Sequence, residues 1–358
     1  MKKKRLMGFA GIAAAAALAL AVTGCGGGGS KTAAGSSSSS NGSSDYQVTM
    51  VTDMGGVNDQ SFNQLAWEGL QKLQKDTGIK TSYTESKQEA DYATNLDKAV
   101  DSGNKLVWGI GFAMADAVHT AAKQNPDVNF AIIDNAYDES DLTDNLTGVS
   151  FKTQEPSFVV GYIAAMTSTT GKVGFVGGIK SPVLQTFEYG YRAGVEYANK
   201  QAGKSVQVTV QYLETFTDAA KGKAAGQKLY SDGNDIVFAC AGNAGNGVIE
   251  AAQEADKLVI GVDKDQYDLA PKNMLTSAMK NVDEAVIEVS EKASKGEKIG
   301  GQNIELSMKD GAVGISEHHD LMSDDVYKTA QDLAQQIKDG KITPPGTEDD
   351  FNKYVASL

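Results

Sequence analysis

The stretch from Val51 to Leu70, VTDMGGVNDQSFNQLAWEGL, sets an Asp, two glycines, a second Asp and a Ser-Phe-Asn triplet between a strand-like run and a helix-like one. Carboxylates accept hydrogen bonds, and an aromatic ring at a helix start offers a flat apolar face. Two other apolar runs also end in an acid, NFAIID in Asp134 and KLVIGVD in Asp263, as the first run ends in Asp53. Three convergent acids repel one another unless hydrogen-bond donors occupy the space between them. A neutral, hydroxyl-rich molecule supplies such donors. Lys280 closes a further run, MLTSAMK, and Phe238 lies just before the tip of DIVFACAG. Two rings, Phe62 and Phe238, sandwich a flat base, and an Asp with a Lys holds a diol. Taken alone, Phe238 reads as a core aromatic of a β run, and Asp53 as the acceptor of an Asx-turn.

Elements must bring these groups together. Strand-like runs alternate with helical stretches in two series. The first is YQVTMVTD, a helix from Phe62, IKTSYTES, a helix through Val100, KLVWGIG, Met114 to Gln124, and NFAIID. The second is KVGFVGG, a helix from Leu184, SVQVTVQYLE, a helix to Tyr230, DIVFACAG, Gly247 to Asp256, and KLVIGVD. Such alternation predicts α/β lobes, each a parallel sheet covered by helices on both faces. About 310 residues from Tyr46 onward suit two domains better than one. Ser61 and Gln64 fit an S-x-x-Q capping box that starts the first helix at Phe62, although Asp59 and Ser61 also read simply as caps. Asn63 then shares that helix opening. The predicted division is residues 45–150 with 272–300 in one lobe and 151–271 with 301–358 in the other. The chain is expected to cross near Phe151 and near Pro271, with a ligand at the strand ends between the lobes.

The first 24 residues carry Lys2, Lys3, Lys4 and Arg5, then an uncharged apolar run from Leu6 to Val22. This reads as a secretory signal peptide. Val22-Thr23-Gly24-Cys25 resembles a bacterial lipobox, so Cys25 is the expected lipidation site and the mature chain is expected to be anchored to a bacterial cell membrane on its extracytoplasmic side. Residues 25–44 then form a Gly/Ser tether with a reach of roughly 25 Å. Losing four positive charges and no acids takes the net charge from −13 to −17. So acidic a surface argues against nucleic acid and against anionic ligands. Cys240 has no partner for a disulfide if Cys25 is acylated, and reads as a buried thiol.

VTDMGGVNDQSFNQLAWEGL, together with AGNAGNGVIEAA, VIGVDKDQY and LTSAMK in that order, resembles the basic membrane protein family of lipoproteins, whose best-understood members are purine nucleoside receptors feeding ABC transporters. The likeness runs from about Val48 to about Val313. It implies a type I periplasmic-binding-protein fold, a purine nucleoside in the interlobe cleft, and permease and ATPase subunits as partners of a monomeric receptor. Carried over by motif, Asp53 and Asp134 bind the base edge, Phe62 and Phe238 stack on the base, Asp263 and Lys280 hold the ribose, and Ser61 and Asn63 lie near the ligand. FACAGNAGNG departs from the glycine-richer loop of the family.

Other readings differ in chemistry. A calcium-dependent nucleoside hydrolase needs clustered carboxylates, but Asn58 interrupts the acidic pair and Met54 stands where a third acid would be. No G-x-S-x-G elbow, H-E-x-x-H pair or Walker loop occurs, so no enzyme is expected. GNAGNG lacks a following Lys-Ser, and reads as a backbone approach or a turn. His119 stands alone and His318-His319 alternate sides on an extended chain, so neither metal nor cofactor is expected. A sugar receptor of the same fold is the nearest rival, and an adhesin or signalling lipoprotein would use the same tether.

Overall fold

Short apolar runs flanked by amphipathic stretches fold here as two repeated sheets. The computed structural model describes residues 46–358. The signal peptide, Cys25 and the tether lie outside the described residues. The first lobe begins β1 (Gln47–Thr52), α1 (Phe62–Thr77), β2 (Lys80–Thr84), α2 (Asp91–Asp101), β3 (Leu106–Ile110), α3 (Ala115–Gln124), β4 (Asn129–Ile133) and β5 (Leu146–Phe151). The chain then enters α4 (Gln154–Thr167), β6 (Lys172–Gly177), α5 (Pro182–Ala202), β7 (Gln207–Tyr212), α6 (Ala219–Ser231), β8 (Ile236–Cys240), α7 (Gly242–Ala255), β9 (Leu258–Asp263) and β10 (Met274–Lys280). It ends with α8 (Val282–Ser294), β11 (Gln302–Leu306), β12 (Val313–Ile315), α9 (Asp324–Lys338) and α10 (Glu348–Ser357).

The sheet orders are β2-β1-β3-β4-β5-β11 and β7-β6-β8-β9-β10-β12. All pairings are parallel except that of β12 with β10. Central strands such as β3, LVWGI, are buried at every residue, because helices cover both faces and no polar face is left to alternate. The edge strand β2, KTSYT, is mostly open and correspondingly polar. Each sheet reverses its winding between its first and third strands, which leaves a crevice at the strand ends, β1 beside β3 and β6 beside β8.

The division into lobes differs from the expected one. The first crossing follows Phe151, but the second follows Lys280 rather than Pro271, because β10 pairs with β9 in the second sheet. The chain crosses a third time after Leu306, since β11 pairs with β5 in the first sheet. Residues 272–280 therefore belong to the second lobe and 301–306 to the first. The cause is a swap between strand and helix. β5 lies in the first sheet while α4 packs against α5, and β10 lies in the second sheet while α8 packs against α1. A strand-helix pair in sequence does not show that its two members serve different lobes.

The run GNAGNG, read as a backbone approach or a turn, is not a turn, although Gly242 and Asn243 at its start line the cavity described below. α7 starts at Gly242, not Gly247, and the glycines let it press against α6. A Cβ on Gly247 would run into the Ala219 carbonyl, and one on Gly222 into the Ala244 carbonyl. We predict that Gly222→Ala lowers the unfolding free energy by about 1–3 kcal/mol in urea denaturation, because the clash is with backbone that cannot rotate away. Gly314→Ala, where a methyl meets nothing within 4 Å, should stay within about 0.5 kcal/mol of the parent.

Candidate functional site

The strand ends of both sheets face one cavity of about 60 Å³. That is room for several waters on a scale where about 10–15 Å³ holds one. Its acidic and basic lining consists of Asp53, Asp59, Asp134, Asp263 and Lys280, beside the Cys240 thiol. Four acids against one base make the cavity hostile to anions and receptive to N–H and O–H donors.

Asp53 continues β1 by donating its backbone N–H to the Ile110 carbonyl. Its Oδ1 accepts from Gly55 N at 2.8 Å and from Asn63 Nδ2 at 2.9 Å. The Asx-turn is therefore real, and it does not remove Asp53 from the cavity. A Cβ on Gly111, whose φ is +111°, would collide with Asp53 Oδ2, so glycine is needed to let the carboxylate sit there. Burial pushes the Asp53 carboxyl up to about 6, reinforced by the negative charges of Asp59 and Asp134 and opposed by its bonds to Gly55 and Asn63.

Asp59 does the capping that the S-x-x-Q pattern assigned to Ser61. Its carboxylate accepts the backbone N–H groups of Ser61, Asn63 and Gln64 at 3.0, 2.9 and 3.1 Å. Ser61 makes no side-chain cap. Its hydroxyl instead donates to Asp263 Oδ2 at 2.5 Å, a bond between lobes. An Asp two residues ahead of the N-cap reaches three N–H groups at once and leaves the serine hydroxyl free.

Asp134 and Asp263 stand at the ends of equivalent strands and share a left-handed backbone, with φ of 68° and 66°. Asp tolerates that region better than most residues, yet such backbone clusters where function holds it in place. Between the two acids lies Lys280, 2% exposed, with Nζ 2.8 Å from Asp134 Oδ2 and 3.6 Å from Asp263 Oδ1. Burial opposes its charge, but the two carboxylates outweigh burial and hold the ammonium above its usual range. Burial pushes the Asp134 carboxyl up, with Lys280 opposing and Asp263 adding to the shift. The ammonium also sits 4.4 Å from the centre of the Phe62 ring, a favourable position over its negative face.

Asp53, Phe62, Asn63, Asp134, Asp263 and Lys280 line the cavity, with Ser61 one bond behind. Phe238 does not. It is wholly buried in the second lobe against Phe175 and Tyr191, with ring centres 5.5 and 5.4 Å away. As the third residue of β8 it lies two residues short of the tip, where Cys240 and Ala241 reach the cavity. The rings that do line it besides Phe62 are Phe112, Phe187 and Phe216. Phe112 and Phe216 come from loops just past strands and pack edge to face at 6.2 Å. Their sequence signal was an aromatic outside any core periodicity, in GIGFAMAD and LETFTDAA. Asp134 was expected beside Asp53, but its carboxylate bonds to Lys280.

The loop after β1 is held by the other lobe. Asn246 Nδ2 donates to the Asp59 carbonyl and Gln266 Nε2 to the Gln60 carbonyl, each at 3.0 Å. Lys264 pairs with Glu68 at 3.0 Å. None of these three contacts was legible in the sequence. Cys240 is a buried free thiol whose pKa burial pushes well up. Among the described residues no cluster of His, Cys, Asp and Glu could hold a metal. His318 and His319 stack instead on Tyr267 and Tyr327, with ring centres at 3.9 and 3.8 Å.

A family model described as "ABC transporter substrate-binding protein PnrA-like" matches residues 46–348. The CD4+ T-cell-stimulating antigen of Listeria monocytogenes is 42% identical over 324 residues, covering 85% of this chain and 89% of its own. The ABC transporter nucleoside-binding protein BmpA of Lactococcus lactis is 38% identical over 325 residues, covering 84% and 90%. A crystal structure of ABC transporter system solute-binding proteins from Aeropyrum pernix superimposes with a TM-score of 0.79 at 26% identity, covering 87% of this chain and 98% of that one.

The raised Asp53 carboxyl sets a pH dependence. A folded-state value of about 6 against an ordinary 3.8 means that the native state binds this proton more tightly than the unfolded chain. The associated stability is present below about pH 4 and is lost as pH rises to about 6, by about 3 kcal/mol at 1.36 kcal/mol per unit. Without ligand, Asp53→Asn should remove that fall and be the more stable protein at pH 7. Urea titrations at pH 4, 5, 6 and 7 read the difference, and parallel curves for parent and variant contradict it.

Proposed function

Since this chain belongs to the PnrA-like family of ABC transporter substrate-binding proteins, we propose that it captures a purine nucleoside between its lobes and hands it to the permease and ATPase subunits of a transporter. It shares the family's two-lobed, type I periplasmic-binding-protein fold. A lipid on Cys25 and the Gly/Ser tether hold it outside the cell membrane in this reading. No described helix is long and apolar enough to cross a membrane. Nucleoside as the ligand class is supported by the Lactococcus lactis relative, which is named for nucleoside binding.

The observation that carries the proposal is the Ser61–Asp263–Lys280–Asp134 chain of bonds beside the Phe62 ring. A ribose diol donates to the carboxylates and accepts from the ammonium, replacing interlobe bonds by bonds through the ligand. Asp134 serves this ribose end, and Asp53 with Asn63 takes the base edge. Phe62 and Phe216, half-buried rings from opposite lobes, flank the base. Nucleoside shifts the lobes toward closure only by its greater affinity for the closed form.

At 100 times its dissociation constant a nucleoside should add about 2.7 kcal/mol to stability, a plain rise in a thermal-shift panel. Nucleotides, free bases and hexoses should add far less, and chromatography of the mixture should return the nucleoside intact. Asp263→Ala should weaken nucleoside binding by roughly 10- to 100-fold, the cost of losing a charged hydrogen-bond partner, and free base much less. Stabilisation by galactose or arabinose and not by guanosine would give the site to a sugar. Release of free base would give it to a hydrolase.

A further inference from the structure

Outside the cavity the lobes are joined by further bonds, which reach the 59–68 segment of the first lobe from two places on the second. Asn246 on α7 donates Nδ2 to the Asp59 carbonyl, and Gln266 donates Nε2 to the Gln60 carbonyl, each at 3.0 Å. Lys264 Nζ lies 3.0 Å from both carboxylate oxygens of Glu68 on α1. The side chains of Asn246, Lys264, Gln266 and Glu68 do not belong to the cavity lining. A ligand in the cavity therefore leaves these bonds in place, and opening of the lobes breaks them.

Each half of this contact is shaped by its own lobe. On the first, Gln64 Nε2 donates to Glu68 Oε1 at 2.8 Å from one turn earlier on α1 and aims the carboxylate. Gln60 is exposed and holds left-handed backbone, with φ of 57°, a region unfavourable to a side-chain-bearing residue unless the surroundings impose it. That turn presents its carbonyl to Gln266. On the second lobe, Gln266 Oε1 accepts from Val262 N at 2.9 Å, and Gln266 N donates to Ser277 Oγ at 3.2 Å. Between Lys264 and Gln266, Asp265 bonds to the His318 ring, which stacks on Tyr267 with centres 3.9 Å apart. The loop after β9 is thus pinned from behind and meets the first lobe with little freedom left to lose.

We infer that Lys264, Gln266 and Asn246 form a latch that sets the closed fraction of the protein, and with it the affinity for every ligand alike, without touching any of them. Opening exchanges the three contacts for bonds to water, so each contributes a modest factor to the closing equilibrium. A larger closed population lowers the apparent dissociation constant by the same factor whatever lies in the cavity. These are positioning residues: groups that touch the ligand supply selectivity, and the latch supplies a common gain. The inference needs only that the lobes open, and does not depend on the ligand being a nucleoside.

The Lys264–Glu68 arm gives the test, because its side chains are 25% and 40% exposed and their exchange leaves the core intact. Lys264→Glu and Glu68→Lys each set like charges face to face across the cleft, and the double variant restores the pair in reverse. In titration calorimetry of the purified protein, each single reversal should weaken guanosine and inosine by one common factor, roughly 3- to 10-fold, carried by faster dissociation in stopped flow. The double variant should return to within about twofold of the parent, a rescue that a merely structural loss would not show. Small-angle X-ray scattering without ligand should give a larger radius of gyration in each single variant and the parental value in the double. In about 1 M salt, which screens a partly exposed pair, parent and single variants should converge. Parental affinity and radius in both single reversals, or a double variant no better than the singles, overturn the latch. If neither nucleoside binds the parent, the nucleoside reading falls and the scattering comparison alone decides the latch.

Discussion

A single buried ammonium organises the region between the lobes. Lys280 sits within 4 Å of a carboxylate from each lobe, Asp134 from the first and Asp263 from the second, with the rings of Phe62, Phe151 and Phe187 around it. An unpaired charge at this depth would be intolerable, and each acid would be equally costly without it. The charges therefore require one another, and they require the lobes to be together. Lys280 is also the residue at which the chain leaves the second sheet, just as Phe151 is where it leaves the first. One crossing thus starts at a residue that lines the cavity, Lys280, so a change in lobe angle is felt where a ligand would sit.

Around that charge the lobes repeat one plan. β4 and β9 occupy the same place in their sheets, and an Asp with left-handed backbone stands at the tip of each, Asp134 just past β4 and Asp263 at the end of β9. β5 and β10 both send their following helix to the other lobe. Specialisation lies in the loops past the strands. After β1 a glycine-bearing turn brings Asp53, Asp59 and Asn63 into one hydrogen-bonded group, while after β8 the chain enters α7 at once. Acids, an amide and a ring thus come mainly from the first lobe's loop, and apolar wall with the ammonium from the second.

The strands were legible because two-sided burial writes continuous apolar runs, and LVWGI or FAII admits few other readings. The three strand-terminal acids were legible for the same reason, since the end of an apolar run marks its tip. Phe238 misled because a ring near a strand's end looks like a ring at its end: it shares the face of Cys240 but lies two residues further from the tip, inside the packed core. Ser61 misled because the S-x-x-Q pattern does not show that Asp59 reaches the same N–H groups first. The second crossing was invisible for want of any local signal: MLTSAMK followed by a helix reads alike whether or not the helix stays with its strand. Phe112, Phe187 and Phe216 needed the tertiary structure to become neighbours.

The central claim is that carboxylates of both lobes and one ammonium converge on an uncharged, hydroxyl-bearing molecule lying against Phe62. A crystal structure of the protein grown with guanosine tests it most directly. The account predicts ribose hydroxyls in hydrogen-bond contact with Asp263 and Lys280 and the base against Phe62 with its edge toward Asp53 and Asn63. A ligand bound elsewhere, or a cleft in which the Lys280 cluster stays closed on itself with the nucleoside outside it, would contradict it.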